Sequence, residues 1–337
     1  MVIERDVAVS GGRTVRAYDT GGGDPGELTV VWHHGSPHTG ALLPPLLSAA
    51  SEHGIRLVSY ARPSYGGSTP LPGRDVASAA DDVTQVAVAL GVGRFAVMGA
   101  SGGGPHALAC AALLADRVTA VVCLAGLAPF SQDDDWFAGM RSNGALRVAA
   151  AGREVRARFA ETAESDPETF IDADWAALAG PWSSMGDDVG RAAEAGDDGL
   201  IDDDVAFVTP WGFDLTDIGA PVLVVHGGRG PDGAFRARRL VGPRHPARGA
   251  LVPARGVLPA GRGGRAARGG PRGGRLPRVR GAARLRAALR ALTTHRAAVA
   301  AWPWGARCQQ EDGLLDGQAH TTAEGGPSPP ELNAATL

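Results

Sequence analysis

Residues 94–114 read RFAVMGASGGGPHALACAALL, and no other stretch limits the fold so tightly. The apolar run Phe95-Ala96-Val97-Met98 has the length and composition of a buried strand. Gly99-Ala100-Ser101-Gly102-Gly103-Gly104 then turns sharply, and residues 105–114 read as an Ala/Leu-rich helix with proline in its first turn. A strand, a tight G-x-S-x-G turn and a helix together present the central serine as a nucleophile. With no Cβ at Gly99 and Gly103, strand and helix can approach closely around a serine held in a strained conformation. Ser101 is therefore the candidate nucleophile. The competing reading is a glycine-rich turn whose serine only caps the helix.

The elements around this stretch alternate. Residues 7–10 and 14–19 suit a hairpin joined at Gly11-Gly12, and residues 28–32 form a core strand that runs into His33-His34-Gly35-Ser36-Pro37. A helix over 42–53, a strand over 55–60, a helix over 76–90 and a strand over 118–124 complete the order. Such alternation gives a parallel sheet covered by helices. Residues 130–210 lack strong strands but carry helical stretches with Trp136, Phe137, Trp175 and Trp182 and many acidic residues. They suit either a helical insertion packed for its own sake or a cap whose aromatic residues wall an apolar pocket. Residues 221–228 then return to the sheet as an apolar strand ending His226-Gly227-Gly228.

From Val7 to Gly228 the chain resembles the α/β-hydrolase fold superfamily. The resemblance rests on His34-Gly35 after one strand, Arg62-Pro63-x-Tyr65-Gly66-x-Ser68 after the next, the turn at Ser101, and the strand ending His226-Gly227-Gly228. It implies a mostly parallel sheet flanked by helices, with a helical cap between the sixth and seventh strands; the C-terminal region departs from it and reads as irregular. The implied division is a first part of the core over 1–129, a cap over 130–210 and a return to the sheet over 211–228, and composition adds an aberrant, poorly ordered region over 229–337. The implied chemistry is hydrolysis of an ester, amide or similar acyl bond through an acyl-enzyme on Ser101. A serine there, where aspartate would form an alkyl-enzyme, argues against dehalogenase or epoxide-hydrolase chemistry. The oxyanion donors implied are the backbone N–H groups of Ser36 and Gly102, because Pro37 has none to give. His33 and His34 are expected to hydrogen-bond the loop they flank, and His106 to pack.

The family's acid and base do not follow. An aspartate is implied shortly after Gly228 and a histidine some way beyond it. The chain instead offers Asp232 in a Gly/Pro turn, two residues late, and His245, His295 and His320 without a supporting local pattern. The acid and base stay unassigned, with Asp232 and His245 as the candidates, and a chain whose serine lacks its base reads alternatively as a catalytically impaired hydrolase.

Charge breaks at the same place. Residues 1–228 carry 14 arginines against 30 acids, a net of −16, whereas residues 229–307 carry 19 arginines against Asp232 alone, a net of +18. Segment 256–281 is almost wholly Gly, Arg, Ala and Pro, so it cannot supply a last strand and helix. Two readings stay open. A basic tail could bind nucleic acid by charge, although the aromatic interleaving that usually accompanies such binding is absent. Alternatively, a reading-frame shift falls near codon 229. Codons allowed for Gly230 to Phe235, GGA CCG GAT GGT GCC TTT, become DRMVP when one base is skipped, which restores HGGRDRMVP at the strand end. The same shift yields no histidine near Val257-Leu258. The nucleotide sequence around codon 229 decides between them.

The remaining composition excludes rather than identifies. There is no lysine among 337 residues, and Cys110, Cys123 and Cys308 have neither metal-ligand spacing nor a disulfide pattern. No apolar run approaches membrane-spanning length and the N-terminus has no signal-like core, so a cytoplasmic protein acting on a small molecule is expected. Neither a cofactor, a metal nor a membrane is expected as partner. Oligomeric state is not readable.

Overall fold

The computed structural model describes residues 1–22, 27–132, 136–137, 140, 142–164, 169–227 and 250–254. Strands β1 (Ile3–Val9) and β2 (Arg13–Asp19) form the expected hairpin, closed by a 3-10 turn at Ser10–Gly12 with Gly11 and Gly12 both at positive φ. β1 starts earlier than its apolar alternation suggests because it is the sheet's edge. Its first residues are exposed, so nothing apolar is needed to pair Ile3 with Asp19. The chain continues through β3 (Leu28–His33), α1 (Pro44–Glu52), β4 (Ile55–Tyr60), α2 (Ser78–Ala89), β5 (Phe95–Ala100), α3 (Gly103–Leu113) and β6 (Val118–Leu124). Among the described residues five α-helices follow: α4 (Gly144–Ala149), α5 (Arg153–Ala160), α6 (Asp172–Leu178), α7 (Ser183–Glu194) and α8 (Asp198–Phe207). The chain then re-enters the sheet at β7 (Val222–Gly227).

Among the described residues the sheet has eight strands in the order β1-β2-β4-β3-β5-β6-β7-β8. β1, β2 and β4 pair antiparallel and every later pairing is parallel. The eighth strand, β8 (Ala250–Ala254), lies beside β7 with Leu223 opposite Ala250. It comes from a short apolar run just ahead of the Gly/Arg-rich segment 256–281, and the sequence reading did not place it.

Burial on both faces explains the continuous apolar strands. Every residue of β4 and β5 is buried. Phe95 and Val97 join a core with α2 and α3, while Ala96, Met98 and Ala100 point the other way, into a core with Leu46 of α1. Arg56 is tolerated inside β4 because Asp19, at the end of β2, meets its guanidinium at 2.7 and 3.0 Å. The aromatic residues of the inserted stretch go to these cores rather than to a pocket wall. Trp136 and Phe137 join the first and Trp182 the second, whereas Trp175 is exposed.

Candidate active site

β5 ends at Ala100 and α3 begins at Gly103, so Ser101 occupies the turn between them. Its φ is +49°, a conformation costly for a residue with a side chain. Two hydrogen bonds hold it there: its N–H donates to Leu124 O at 2.8 Å, and its own carbonyl accepts from Gly104 N–H at 2.9 Å. The two predicted glycines are needed for the close approach. A Cβ on Gly99 would collide with the Gly103 carbonyl, and one on Gly103 would collide with the backbone of His33 and His34. α3 therefore starts two residues before Pro105, seated against the end of β3.

Ser101 lines a cleft with His34, Gly35, His38, Met185 and Asp188 among its other walls. Its hydroxyl has no hydrogen-bond partner among the described residues. Gly102 adjoins Ser36: a Cβ built on Gly102 would touch the Ser36 hydroxyl and lie 3.2 Å from Ser36 Cβ. The two residues expected to supply oxyanion donors thus flank one end of the serine turn.

The loop carrying Ser36 is fixed by Arg62, which is fully buried. Its guanidinium donates to His34 O at 2.5 Å, to Gly35 O at 3.3 Å and to Ser36 Oγ at 3.0 Å. It also pairs with Asp203 at 2.6 Å. Asp203 in turn accepts from Arg74 at 2.7 Å, from the Tyr65 hydroxyl at 3.0 Å and from the Ser36 hydroxyl. Burial works to raise the Asp203 carboxyl, but Arg62 and Arg74 outweigh it and hold the group well below the usual carboxylate range. His34 behaves as the sequence suggested. Its Nδ1–H donates to Gly35 O at 2.7 Å and its Nε2 accepts from Arg62 N–H at 3.1 Å, and burial keeps it neutral. His106 packs against Phe207 and its ring donates to Gly102 O at 2.8 Å.

Asp203 is the middle of three consecutive acids on α8, and all three are buried. Asp202 pairs with Arg153 and Asp204 with Arg156, each at 2.7 Å, so α5 holds the two flanking carboxylates. Successive helical residues point about 100° apart, which lets the three neighbours face different elements. Asp204 differs electrostatically from Asp203. Burial pushes its carboxyl up to about 6 against the pull of Arg156. Its folded-state value therefore lies above the unfolded value of about 4, so the folded state binds the extra proton between these limits. The contribution favours folding at low pH and is withdrawn as pH rises through about 6. Asp204→Asn removes that dependence. Urea unfolding at pH about 5 and about 7 is expected to show wild type losing more stability across the interval than the variant, and equal losses would refute the assignment.

A second buried pair faces the cleft, and the sequence reading did not single it out. His38 Nδ1 lies 2.9 Å from Asp188 Oδ2, although the residues are 150 apart in the chain. Asp188, on α7, also accepts from Thr39 N–H at 3.0 Å, from Thr39 Oγ1 at 2.5 Å and from Arg191 at 3.0 Å. Burial works to raise its carboxyl, but the hydrogen bonds from His38 and Thr39 hold it below the usual range. The available signal was a histidine three residues after Gly35, in the loop already assigned to the site.

Asp232, His245, His295 and His320 lie outside the described residues. Cys110 and Cys123 are buried free thiols whose ionisation burial pushes up, the latter to about 12. Among the described residues no helix is long and apolar enough to cross a membrane.

No curated protein matches the sequence. Solved structures do match in shape. An esterase from Thermogutta terrifontis, with malate bound, superposes with a TM-score of 0.54 at 20% identity, covering 74% of this chain and 90% of that one. The enol-lactonase from Burkholderia xenovorans LB400 gives 0.52 at 19% identity over 74% and 90%. A bromoperoxidase from Bacillus anthracis gives 0.53 at 20% over 74% and 91%. At such identities the likeness is one of fold. The sequence itself matches the family model for the alpha/beta hydrolase fold over residues 29–231, which takes in β3, the turn at Ser101, the inserted helices and β7. With sheet order and sequence match in agreement, this chain belongs to the α/β-hydrolase fold family.

Proposed function

We propose that this chain is a serine hydrolase that cleaves an ester, amide or similar acyl bond of a small molecule through an acyl-enzyme on Ser101. One observation carries the reading: Ser101 is held at φ +49° between β5 and α3, on the wall of a cleft, with its hydroxyl free of protein partners among the described residues. The backbone N–H groups of Ser36 and Gly102 hold the oxyanion that forms when Ser101 attacks. Arg62 and Asp203 position that loop without touching the reacting atoms. The helices between β6 and β7 serve as the cap, and Met185 and Asp188 are its contributions to the cleft. Trp32, Leu43 and Met185 give the cleft apolar walls suited to the hydrocarbon part of an acyl compound. Of the structural neighbours named above, the esterase and the enol-lactonase bear names that fit hydrolysis of an ester bond, whereas the bromoperoxidase does not, so the names choose no substrate.

A fluorophosphonate probe tests the reading directly, because it phosphonylates only an activated serine. The expected result is one adduct, mapped by peptide mass spectrometry to the tryptic peptide containing Ser101. A chain that takes up no probe, or takes it up elsewhere, overturns the proposal.

A further inference from the structure

We propose that His38, held by Asp188, is the general base for Ser101 in this chain; the assignment rests on the acyl-enzyme reading above. Acyl transfer from a serine needs a nitrogen base beside the hydroxyl and a carboxylate to orient that base. In this fold the base and acid are implied by resemblance to follow β7 and β8, and the sequence there supplies neither in pattern. The described part of the chain holds its own histidine–carboxylate pair on the wall of the Ser101 cleft.

Of the two histidines that line the cleft, His34 and His38, the hydrogen bonding favours His38. His33 and His106 are fully buried and do not line the cleft. His34 lines it, but both of its ring nitrogens are engaged, one by Gly35 O and the other by Arg62 N–H. His38 has one nitrogen engaged. A carboxylate only accepts, so in the neutral ring Nδ1 carries the proton and donates it to Asp188, which leaves Nε2 with its lone pair. Nε2 has no partner among the described residues. The ring lies beside the serine turn: a Cβ built on Gly35 would lie 3.1 Å from His38 Cδ2, 3.5 Å from its Nε2 and 3.6 Å from the carbonyl of Ala100, the residue before Ser101.

Asp188 is suited to orient it. The carboxylate is anchored through Thr39 N–H, Thr39 Oγ1 and Arg191 besides His38, so the imidazole is fixed from a helix rather than a loop. Nucleophile and base come from the sheet core and its loops, and the orienting acid comes from the insertion. In the first step the Ser101 hydroxyl proton passes to His38 Nε2 while Oγ bonds to the acyl carbon and the carbonyl electron pair moves onto oxygen. Collapse returns that pair, breaks the bond to the leaving group and hands it the proton from His38. Water then repeats the sequence, giving its proton to Nε2, and the acid departs as Ser101 regains its hydrogen.

The test is the nitrophenol burst from 4-nitrophenyl acetate in wild type, Ser101→Ala, His38→Ala, His38→Gln and Asp188→Asn, with circular dichroism confirming the fold of each. Loss of a general base is expected to slow the burst on the order of 10²–10⁴-fold in both His38 variants. Added imidazole restores part of the rate in His38→Ala, where it can enter the vacated space, and none in Ser101→Ala. Asp188→Asn lowers the burst rate without moving the ester concentration that half-saturates it. Should His38→Ala perturb the fold, His38→Gln decides, since its amide can still donate to Asp188. Folded His38 variants that burst at the wild-type rate, beside a silent Ser101→Ala, overturn the base and leave the nucleophile. A Ser101→Ala that bursts like wild type, or a wild type that does not burst at all, overturns the acyl-enzyme reading and the base with it.

Discussion

Ser101→Ala is expected to lower steady-state turnover of 4-nitrophenyl acetate on the order of 10⁴–10⁶-fold, the loss seen when the nucleophile of a covalent mechanism is removed. The covalent path splits one difficult displacement into two easier ones, and alanine closes it entirely. A residual rate above water is expected all the same. The proposed backbone donors, Ser36 and Gly102, are left in place, and such donors stabilise an oxyanion formed by direct attack of water. The substitution deletes one hydroxyl from a strained turn that its backbone hydrogen bonds maintain, so thermal unfolding should stay close to wild type. A variant that keeps more than about a tenth of the turnover would show that the serine is not the nucleophile.

The second large effect is on stability. Asp203→Ala is expected to cost about 3–5 kcal/mol, because it leaves Arg62 and Arg74 buried without their shared counter-charge. The same change releases Ser36 and Tyr65 from their acceptor. Urea unfolding of the variant beside Asp198→Ala separates this from generic loss of an acid. Asp198 is largely exposed in its pair with Arg153, so its removal should cost no more than about 1 kcal/mol. Equal effects would sink the claim that the buried network matters. The pH dependence has a fixed sign. The folded-state Asp203 value lies below the unfolded one, so its contribution is fully present above the ordinary carboxylate range near pH 4 and is lost as pH falls through the folded value. Across the interval from about pH 5 to about pH 7, Asp203 is silent and Asp204 is not.

Local pattern made the strands and the serine turn readable. β4 and β6 have the bounds their mainly apolar runs indicate, since a strand covered on both faces is mostly apolar, and Arg56 is admitted to β4 by its pairing with Asp19. The turn at Ser101 announces itself through its glycines, Gly99 demanded by the nearby Gly103 carbonyl and Gly103 by the backbone of His33 and His34 at the end of β3. The site's other parts depend on contacts across the chain. Arg62 was visible as part of a motif, but its partner Asp203 is 141 residues distant and sits in what reads as an ordinary acidic run. His38 stood in plain view, yet its meaning depends on Asp188 and hence on how α7 docks. The aromatic residues of the insertion left two readings open. Composition suits them equally to a pocket or a core, and packing sent Trp136, Phe137 and Trp182 to the core.

The three aspartates of α8 bear on how this molecule can be re-engineered. In many modular scaffolds a segment inserted between two strands can be traded for a relative's to change what the protein accepts. Here that segment brings the carboxylate that neutralises two arginines beneath the serine turn. A transplanted segment without an acid in register with Arg62 and Arg74 would strand both guanidinium groups and loosen Ser36. Foldability is therefore tied to this segment, and a chimera that keeps α8 with the sheet must also keep α5, whose Arg153 and Arg156 pair with the outer carboxylates, and Asp188 of α7.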